Sequence, residues 1–149
     1  MEIYLKTIKN EKMANNITPP IPRSELVEFT IPSTSQSVFN FPQNLENIER
    51  GKVFGIDAFN VADIPLTPSG SAVVNATVFN KAYLILAVDN EERITRFPLF
   101  LLRPTSGIRD QQIFDGFKIN FTKSKIVIPN TTGLVAGESF LFQFKFREA

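Results

Sequence analysis

The sequence predicts an all-β protein built as a two-sheet antiparallel sandwich, with jelly-roll topology as the preferred connectivity. The clearest observation is the last strand, residues 139–147, in which Phe140, Phe142, Phe144 and Phe146 recur at every second position. Side chains on a strand alternate between faces, so these rings line one face of a half-buried strand. Other short apolar segments alternate in the same way between turn residues, and no segment shows convincing helical periodicity.

The N-terminal segment differs from the rest of the chain. Residues 1–23 end with Pro19, Pro20 and Pro22, which lack backbone donors and restrict the residues before them. We therefore expect an extended or disordered N-terminal arm at residues 1–23 and a β-sandwich domain at residues 24–149. The arm is either a frayed terminus or a segment that becomes ordered on a neighbouring subunit.

Three strands are predicted in the first part of the domain. The first two end at Pro32 and Pro42, because proline cannot donate to a strand ladder. The third contains two glycines, which indicate a bulge or a close backbone approach, and we expect Phe54, Ile56 and Ala58 to share one face. The predicted elements are strands at residues 25–31, 38–41 and 52–59, with a polar connection or one helical turn at residues 43–50.

The middle of the chain contains its longest apolar region. Residues 73–88 follow a proline-containing surface loop, residues 60–72, and keep one apolar phase that is interrupted at Asn80. Because β-branched residues are frequent here, we predict a long bent strand or two strands that meet near Asn80, and no helix. Residues 93–102 then return as the second strand of a hairpin. Pro98 lies within that strand and predicts an edge position or a bulge.

A polar loop at residues 103–112 separates the hairpin from the last part of the domain. Two strands follow, at residues 113–121 and 125–128, and a turn around Gly133 leads to the phenylalanine-rich strand. The whole pattern predicts about eight or nine strands.

The composition excludes several classes of site. The chain has no cysteine and no histidine, so disulfides, thiolate metal sites and imidazole-based catalysis are excluded. A formal net charge of +1 does not indicate a nucleic-acid-binding surface. Fifteen phenylalanines against two tyrosines indicate rings in a core or a subunit interface. We therefore predict no enzymatic activity, no catalytic, cofactor-binding or metal-binding residues, and no cofactor.

Two groups of acidic residues have an alternative interpretation. The turn formed by Asp89, Asn90, Glu91 and Glu92 offers oxygen ligands for calcium, but it lacks the spacing of a calcium loop, so a solvated hairpin turn is favoured. Glycoside hydrolysis needs two carboxyl groups held across a cleft, and nothing in the sequence places a pair in that way. The aspartates available for such a pair are Asp57, Asp63, Asp110 and Asp115.

Basic residues form two groups that could contact nucleic acid or an acidic partner. In a strand, Arg93 and Arg96 point to opposite faces, so they form no continuous stripe. Charges that protect sheet edges from pairing explain these groups better, and we expect no specific nucleic-acid binding. The two groups are Arg93, Arg96, Arg103 and Arg109, and Lys118, Lys123 and Lys125.

Three segments carry a resemblance to a known family: the proline-rich arm at residues 17–23, the hairpin at residues 81–102 and the closing segment at residues 117–147. With the strand arrangement of residues 24–149, they resemble the single jelly-roll virion structural proteins of tailless icosahedral bacteriophages. The resemblance implies a shell, vertex (penton) or spike-base component that contacts other virion structural proteins through arms and loops. No apolar run is long enough for a signal peptide or a membrane span, which fits a virion protein made in the host cytoplasm.

The residues themselves also favour self-association. Catalytic side chains are missing, phenylalanine is abundant, and an extended arm offers strand-type pairing to a neighbour. The sequence therefore predicts a non-enzymatic homo-oligomer that uses the arm and one apolar sheet face or edge. The alternative is a binding or adhesion module that recognises glycans or a protein through loops 60–72 and 103–112. Sugar sites usually present aromatic platforms with polar tips, for which this chain has only Tyr4 and Tyr83.

Overall fold

The structure, a computed structural model, describes residues 22–89, 91–104 and 116–148. Most of the predicted arm and of the 103–112 loop therefore lies outside the described residues. The described elements, in chain order, are β1 (Pro22–Thr30), β2 (Val38–Asn40), α1 (Glu46–Glu49), β3 (Gly51–Phe59), α2 (Ala76–Lys81), β4 (Tyr83–Val88), β5 (Glu91–Pro98), a 3₁₀ helix (Leu99–Leu102), β6 (Ile119–Val127) and β7 (Ser139–Glu148).

The strands form two antiparallel sheets, one in the order β1-β7-β3 and the other in the order β2-β6-β4-β5. The predicted two-sheet sandwich is confirmed. A jelly roll arises when an antiparallel ribbon folds over itself, so that its first strand pairs with its last and its second with its last but one. The pairs β1–β7, β2–β6 and β4–β5 follow this scheme. The scheme has one further strand, beside β3, and among the described residues Phe117 makes a single bridge to Val53 at that edge.

β7 is the central strand of its sheet and contributes most to the core. It pairs with β1 on one side and with β3 on the other. The four phenylalanines that the sequence places on one face are all buried, at 0–2% exposure. The opposite face changes from buried Leu141 to exposed Arg147, which is also the predicted trend.

The rings of β7 pack against rings of the other sheet. Phe41, directly after β2, lies 5.3 Å from Phe121 of β6 between ring centroids, and 5.8 Å from Phe142. Phe121 in turn lies 5.1 Å from Phe144 with the rings nearly perpendicular. Edge-to-face pairs of this kind are worth about 0.5–1.5 kcal/mol beyond the area they bury. This ring cluster therefore joins the two sheets.

The predicted core face of β3 is wrong at one position because the strand is bulged. Its register with β7 shifts between Val53 and Gly55, where the glycines predicted an irregularity. The extra residue turns Phe54 away from the core, and the guanidinium carbon of Arg147 lies 4.2 Å from its ring centroid. Val53 is buried instead, on the same side as Ile56.

Residues 73–88 were predicted to form one long bent strand or two strands that meet near Asn80. This prediction is also wrong, because residues 76–81 form the helix α2. Asn75 caps the helix, since its side chain accepts a hydrogen bond from the Val78 amide at 3.0 Å and donates one to the Gly133 carbonyl at 2.8 Å. Val78 and Phe79 are buried, so packing outweighs the weak helix propensity of the segment. The strand that follows, β4, begins close to the predicted break.

The end of the strand predicted at residues 113–121 and most of the strand predicted at residues 125–128 are joined in the single strand β6, and residues 113–115 lie outside the described residues. The pairing of β6 with β4 shifts inside this strand, and the buried hydroxyl of Ser124 replaces the ladder bonds lost there. That hydroxyl accepts from the Ala87 amide at 3.0 Å and donates to the Asn120 carbonyl at 2.8 Å. The predicted boundary between two strands is therefore a bulge within one strand, in which the Ser124 hydroxyl hydrogen-bonds the backbone groups.

The remaining boundaries agree with the sequence to within a few residues. β1 begins at Pro22 instead of Glu25, so the last residues assigned to the arm pair with β7. The helical turn allowed at residues 43–50 is α1. β5 is an edge strand, one of the two alternatives predicted from Pro98, but it ends at Pro98, and residues 99–102, which were predicted to continue it, form the 3₁₀ helix.

We expect Phe142→Ala to lower the free energy of unfolding by about 3–5 kcal/mol, because it leaves a cavity between the two sheets. Urea denaturation followed by circular dichroism measures the change. The control is Phe100→Ala, since Phe100 is 46% exposed and its truncation should change stability by no more than about 0.5 kcal/mol. Equal losses in the two variants would contradict the assignment of the ring cluster as the core.

Candidate functional site

A groove of about 780 Å³ lies beside α1. We call it the α1 groove. The helix forms one wall, and the start of β6 with the end of β4 forms the other. Its polar lining residues are Glu46, Glu49, Arg50, Asp89, Lys118, Asn120 and Thr122.

A smaller hollow of about 340 Å³ adjoins the α1 groove and shares Glu46 and Glu49 with it. Side-chain amides of Asn40, Gln43 and Asn44 line this hollow. Asn44 adopts a left-handed backbone conformation with φ of 68°, which asparagine tolerates better than most residues. The combined depression is therefore rich in groups that form hydrogen bonds.

The charged groups of the α1 groove are held by local structure. Glu49 accepts the Phe121 amide at 2.9 Å, which fixes α1 to β6. Arg50 donates to the Asn47 side chain at 3.1 Å. Acidic and basic side chains both line the groove.

The aspartates considered for glycoside hydrolysis have separate roles in the structure. Asp57 forms an ion pair with Lys145 at 3.1 Å across β3 and β7. Asp63 accepts two hydrogen bonds from Arg103, at 2.7 and 3.1 Å, which tie the 60–72 loop to the end of the 3₁₀ helix. Neither aspartate lines the α1 groove. The other two, Asp110 and Asp115, lie outside the described residues.

One carboxyl group has a raised pKa. Burial raises the pKa of Glu138, just before β7, and its Oε1 is buried without a hydrogen-bond partner in the described part of the chain. Glu138 does not line the α1 groove. We interpret the raised pKa as incomplete solvation of one side chain, because burial accounts for its direction.

The acidic turn does not assemble a cation site among the described residues. Asp89 is exposed, and Glu91 and Glu92 pair through their backbones with Val88 and Ala87 of β4. Asn90 lies outside the description. Over residues 22–89, 91–104 and 116–148, no group of three or more aspartate or glutamate side chains is placed to hold a metal ion.

The basic residues do not converge either. The guanidinium carbon of Arg96 lies 4.9 Å from the Tyr83 ring centroid, and Lys125 donates to the Asn40 side chain at 2.5 Å. Lys118 lines the α1 groove. Lys123 is exposed on β6. Arg109 and the side chain of Arg93 are outside the described part.

The outer face of the four-stranded sheet carries a row of apolar residues, which we call the outer row. Val38, Val127, Tyr83 and Pro98 are direct neighbours across all four strands. The adjacent row, which includes Leu84 and is buried, faces the core, so the outer row faces away from it. Val38 is 47% exposed. The outer row is thus apolar but unevenly exposed, because Val127 is buried and Val38 is open.

The second notable surface is the outer edge of β1, which pairs with no described strand. β1 is nine residues long, pairs with β7 without a register shift, and carries a proline only at its first position. Leu26, at its centre, is 48% exposed. The two edge strands of the other sheet are shorter or irregular. β2 has three residues, and β5 shifts register twice and ends at Pro98. Long regular edges are the ones that accept another strand.

The 60–72 loop, to which the sequence assigned a possible glycan site, is held against the sheet. Ser69 donates to Glu28 through its hydroxyl at 2.5 Å and through its amide at 3.1 Å. These hydrogen bonds hold the pKa of Glu28 below its ordinary value. The α1 groove lies elsewhere, beside a segment that the sequence analysis treated only as a connection or one helical turn.

Comparisons with protein-family models, with curated proteins and with solved structures found no match for this chain. None of the described helices is long and apolar enough to cross a membrane. The functional argument therefore depends on the surfaces described above.

We expect Asp63→Asn to lower the free energy of unfolding at pH 7 by about 1–2 kcal/mol, because it weakens a charge-assisted, bidentate contact with Arg103. The hydrogen bonds from Arg103 hold the pKa of Asp63 below its ordinary value of 3.8. A lowered pKa in the folded state stabilises the fold above the unfolded-state pKa, and this contribution disappears as the pH falls through the folded-state pKa. The difference between wild type and variant should therefore shrink below about pH 4.

Urea denaturation of both proteins from pH 2 to pH 7 measures this difference. The control is Asp89→Asn, because Asp89 is exposed and makes no ion pair with a described residue. A difference between wild type and Asp63→Asn that stays constant over the whole pH range would rule out the assigned role of the carboxylate.

Proposed function

We propose that this chain is a non-enzymatic structural protein that assembles with copies of itself. One observation carries the proposal: five large apolar side chains are exposed, and none of them lines the α1 groove or the adjoining hollow. A monomeric enzyme or small-molecule binder concentrates apolar surface inside a cleft, whereas an assembling protein presents it to another chain. These side chains are Leu26, Val38, Leu66, Phe100 and Val135.

The polar side chains support the same proposal. The ion pairs Asp57–Lys145 and Asp63–Arg103 fix strands and loops of the chain itself. Charges that are paired in this way stabilise the fold and are not available to act on a substrate. We therefore assign no catalytic, metal-binding or cofactor-binding residue.

We further propose that the assembly is part of a bacteriophage virion, as a shell, vertex (penton) or spike-base component made in the host cytoplasm. Two features support this proposal: the jelly-roll order of the strands and the resemblance of the arm, hairpin and closing segment to single jelly-roll virion proteins. Its partners would then be copies of itself and other virion structural proteins. The near-zero net charge suits a shell component better than a protein that packs nucleic acid.

A second candidate function is glycan or protein recognition by a binding module. The amide-lined depression at α1 favours it, because side-chain amides and carboxylates are suitable partners for sugar hydroxyls. It lacks an exposed aromatic platform, since Phe41 and Phe121 beside it are buried. We therefore rank it below self-assembly.

Multi-angle light scattering of the full chain, from about 1 µM to about 500 µM, tests the proposed assembly. We expect the mass to rise with concentration to an integral multiple of the monomer. A monomer mass at every concentration would contradict self-assembly. In parallel, saturable binding on a glycan array that is lost in the Asn44→Ala variant would support the binding module instead.

A further inference from the structure

The backbone groups on the outer edge of β1 can be assigned from the hydrogen bonds at its end. The Ile31 amide donates to the Glu138 carbonyl at 2.8 Å, and the Ile31 carbonyl accepts from Gly137 at 2.9 Å. Backbone amides and carbonyls alternate in direction along a strand. The amides and carbonyls of the odd-numbered residues of β1 therefore point toward β7. The even-numbered residues, including Ser24, Leu26 and Glu28, therefore direct their amides and carbonyls to the open side.

The even-numbered residues also carry their side chains on the outer face of the sheet. Val27 is buried in the core, whereas its neighbour Leu26 is half-exposed. An exposed leucine thus stands at the middle of a strand edge whose outward backbone donors and acceptors pair with no described strand. This combination is the usual requirement for adding another strand.

We propose that two copies of this chain pair through β1, antiparallel about a two-fold axis at Leu26. This inference rests on the proposed self-assembly and names its contact. The two three-stranded sheets become one continuous sheet of six strands. The contact is isologous, so it closes on itself as a dimer and leaves the outer row free for further contacts.

The sequence of β1 selects this register. With the axis at Leu26, each Leu26 lies opposite the partner's Leu26, and Ser24 lies opposite the partner's Glu28. Pro22, which has no amide, then lies opposite the partner's Thr30 at the end of the ladder, where it costs the fewest hydrogen bonds. In this register even-numbered residues of one copy lie opposite even-numbered residues of the other. Each outward-pointing amide therefore meets a carbonyl of the partner.

The neighbouring registers are less favourable. A shift of two residues in one direction places Glu25 directly opposite the partner's Glu25, and like charges in opposed positions are destabilising. The same shift in the other direction places Leu26 opposite the partner's Glu28, which is already bound to Ser69. Only the register centred on Leu26 buries the two exposed leucines against each other.

Disulfide trapping in the full chain tests the contact. The chain has no cysteine, so Leu26→Cys introduces its only thiol. Opposed hydrogen-bonded residues have Cα atoms about 5.5 Å apart, within the range of about 4.4–6.8 Å that a disulfide requires. We expect Leu26→Cys to form a covalent dimer under mild oxidation. Ser24→Cys should not, because its two copies would stand about four residues, or 13 Å, out of register.

Two lysine variants provide the matched comparison. Leu26 and Val38 are 48% and 47% exposed on different sheets. Leu26→Lys should weaken dimerisation by at least about tenfold, because it opposes two charges at the axis, and Val38→Lys should leave the dimer unchanged. Both variants should melt within a few degrees of the wild type, since both side chains are half-exposed.

The outcomes separate this inference from the proposed function. If the wild type assembles but Leu26→Cys traps no more dimer than Ser24→Cys, or if only Val38→Lys weakens assembly, self-assembly stands and the β1 contact is wrong. If the wild type is monomeric at every concentration, the proposed self-assembly is wrong, and the β1 contact is wrong with it.

Discussion

The structure depends on β7, a strand that has one fully buried face and two paired edges. Four phenylalanines fill one of its faces and are fully buried against rings from the other sheet. Both of its edges are paired, with β1 and with β3. Because β7 occupies the centre, β1 and β3 are the outer strands of this sheet among the described residues, and the position of β1 at an edge follows from the burial of these rings.

The distribution of polar contacts is consistent with a scaffold. Side-chain hydrogen bonds hold the pieces between strands: Asn75 caps α2, Ser124 closes the bulge in β6, and Glu28 holds the 60–72 loop. Each contact satisfies groups that the fold would otherwise leave unpaired. The apolar side chains left outside the core then mark where another chain can fit, which connects the packing of the domain to its proposed assembly.

Much of this fold can be predicted from the sequence, because alternation of apolar residues reports directly on buried strand faces. The errors have local physical causes. The β3 bulge turned Phe54 outward, and the burial of Val78 and Phe79 made a helix from a segment with strand-like composition. The α1 groove and the β1 edge were missed because both depend on which strands become neighbours. An available signal was Leu26, an apolar residue in the outward phase of its strand.

The central claim is that the outer edge of β1 pairs with the same edge of a second copy. Amide hydrogen exchange followed by NMR at low and high protein concentration tests this claim. The amides of Ser24, Leu26 and Glu28 should exchange fast when dilute and slow down by at least about tenfold when concentrated. Those of Glu25, Val27 and Phe29, bonded to β7, should be protected at both concentrations. Equal exchange of the even-numbered amides at all concentrations would contradict the account.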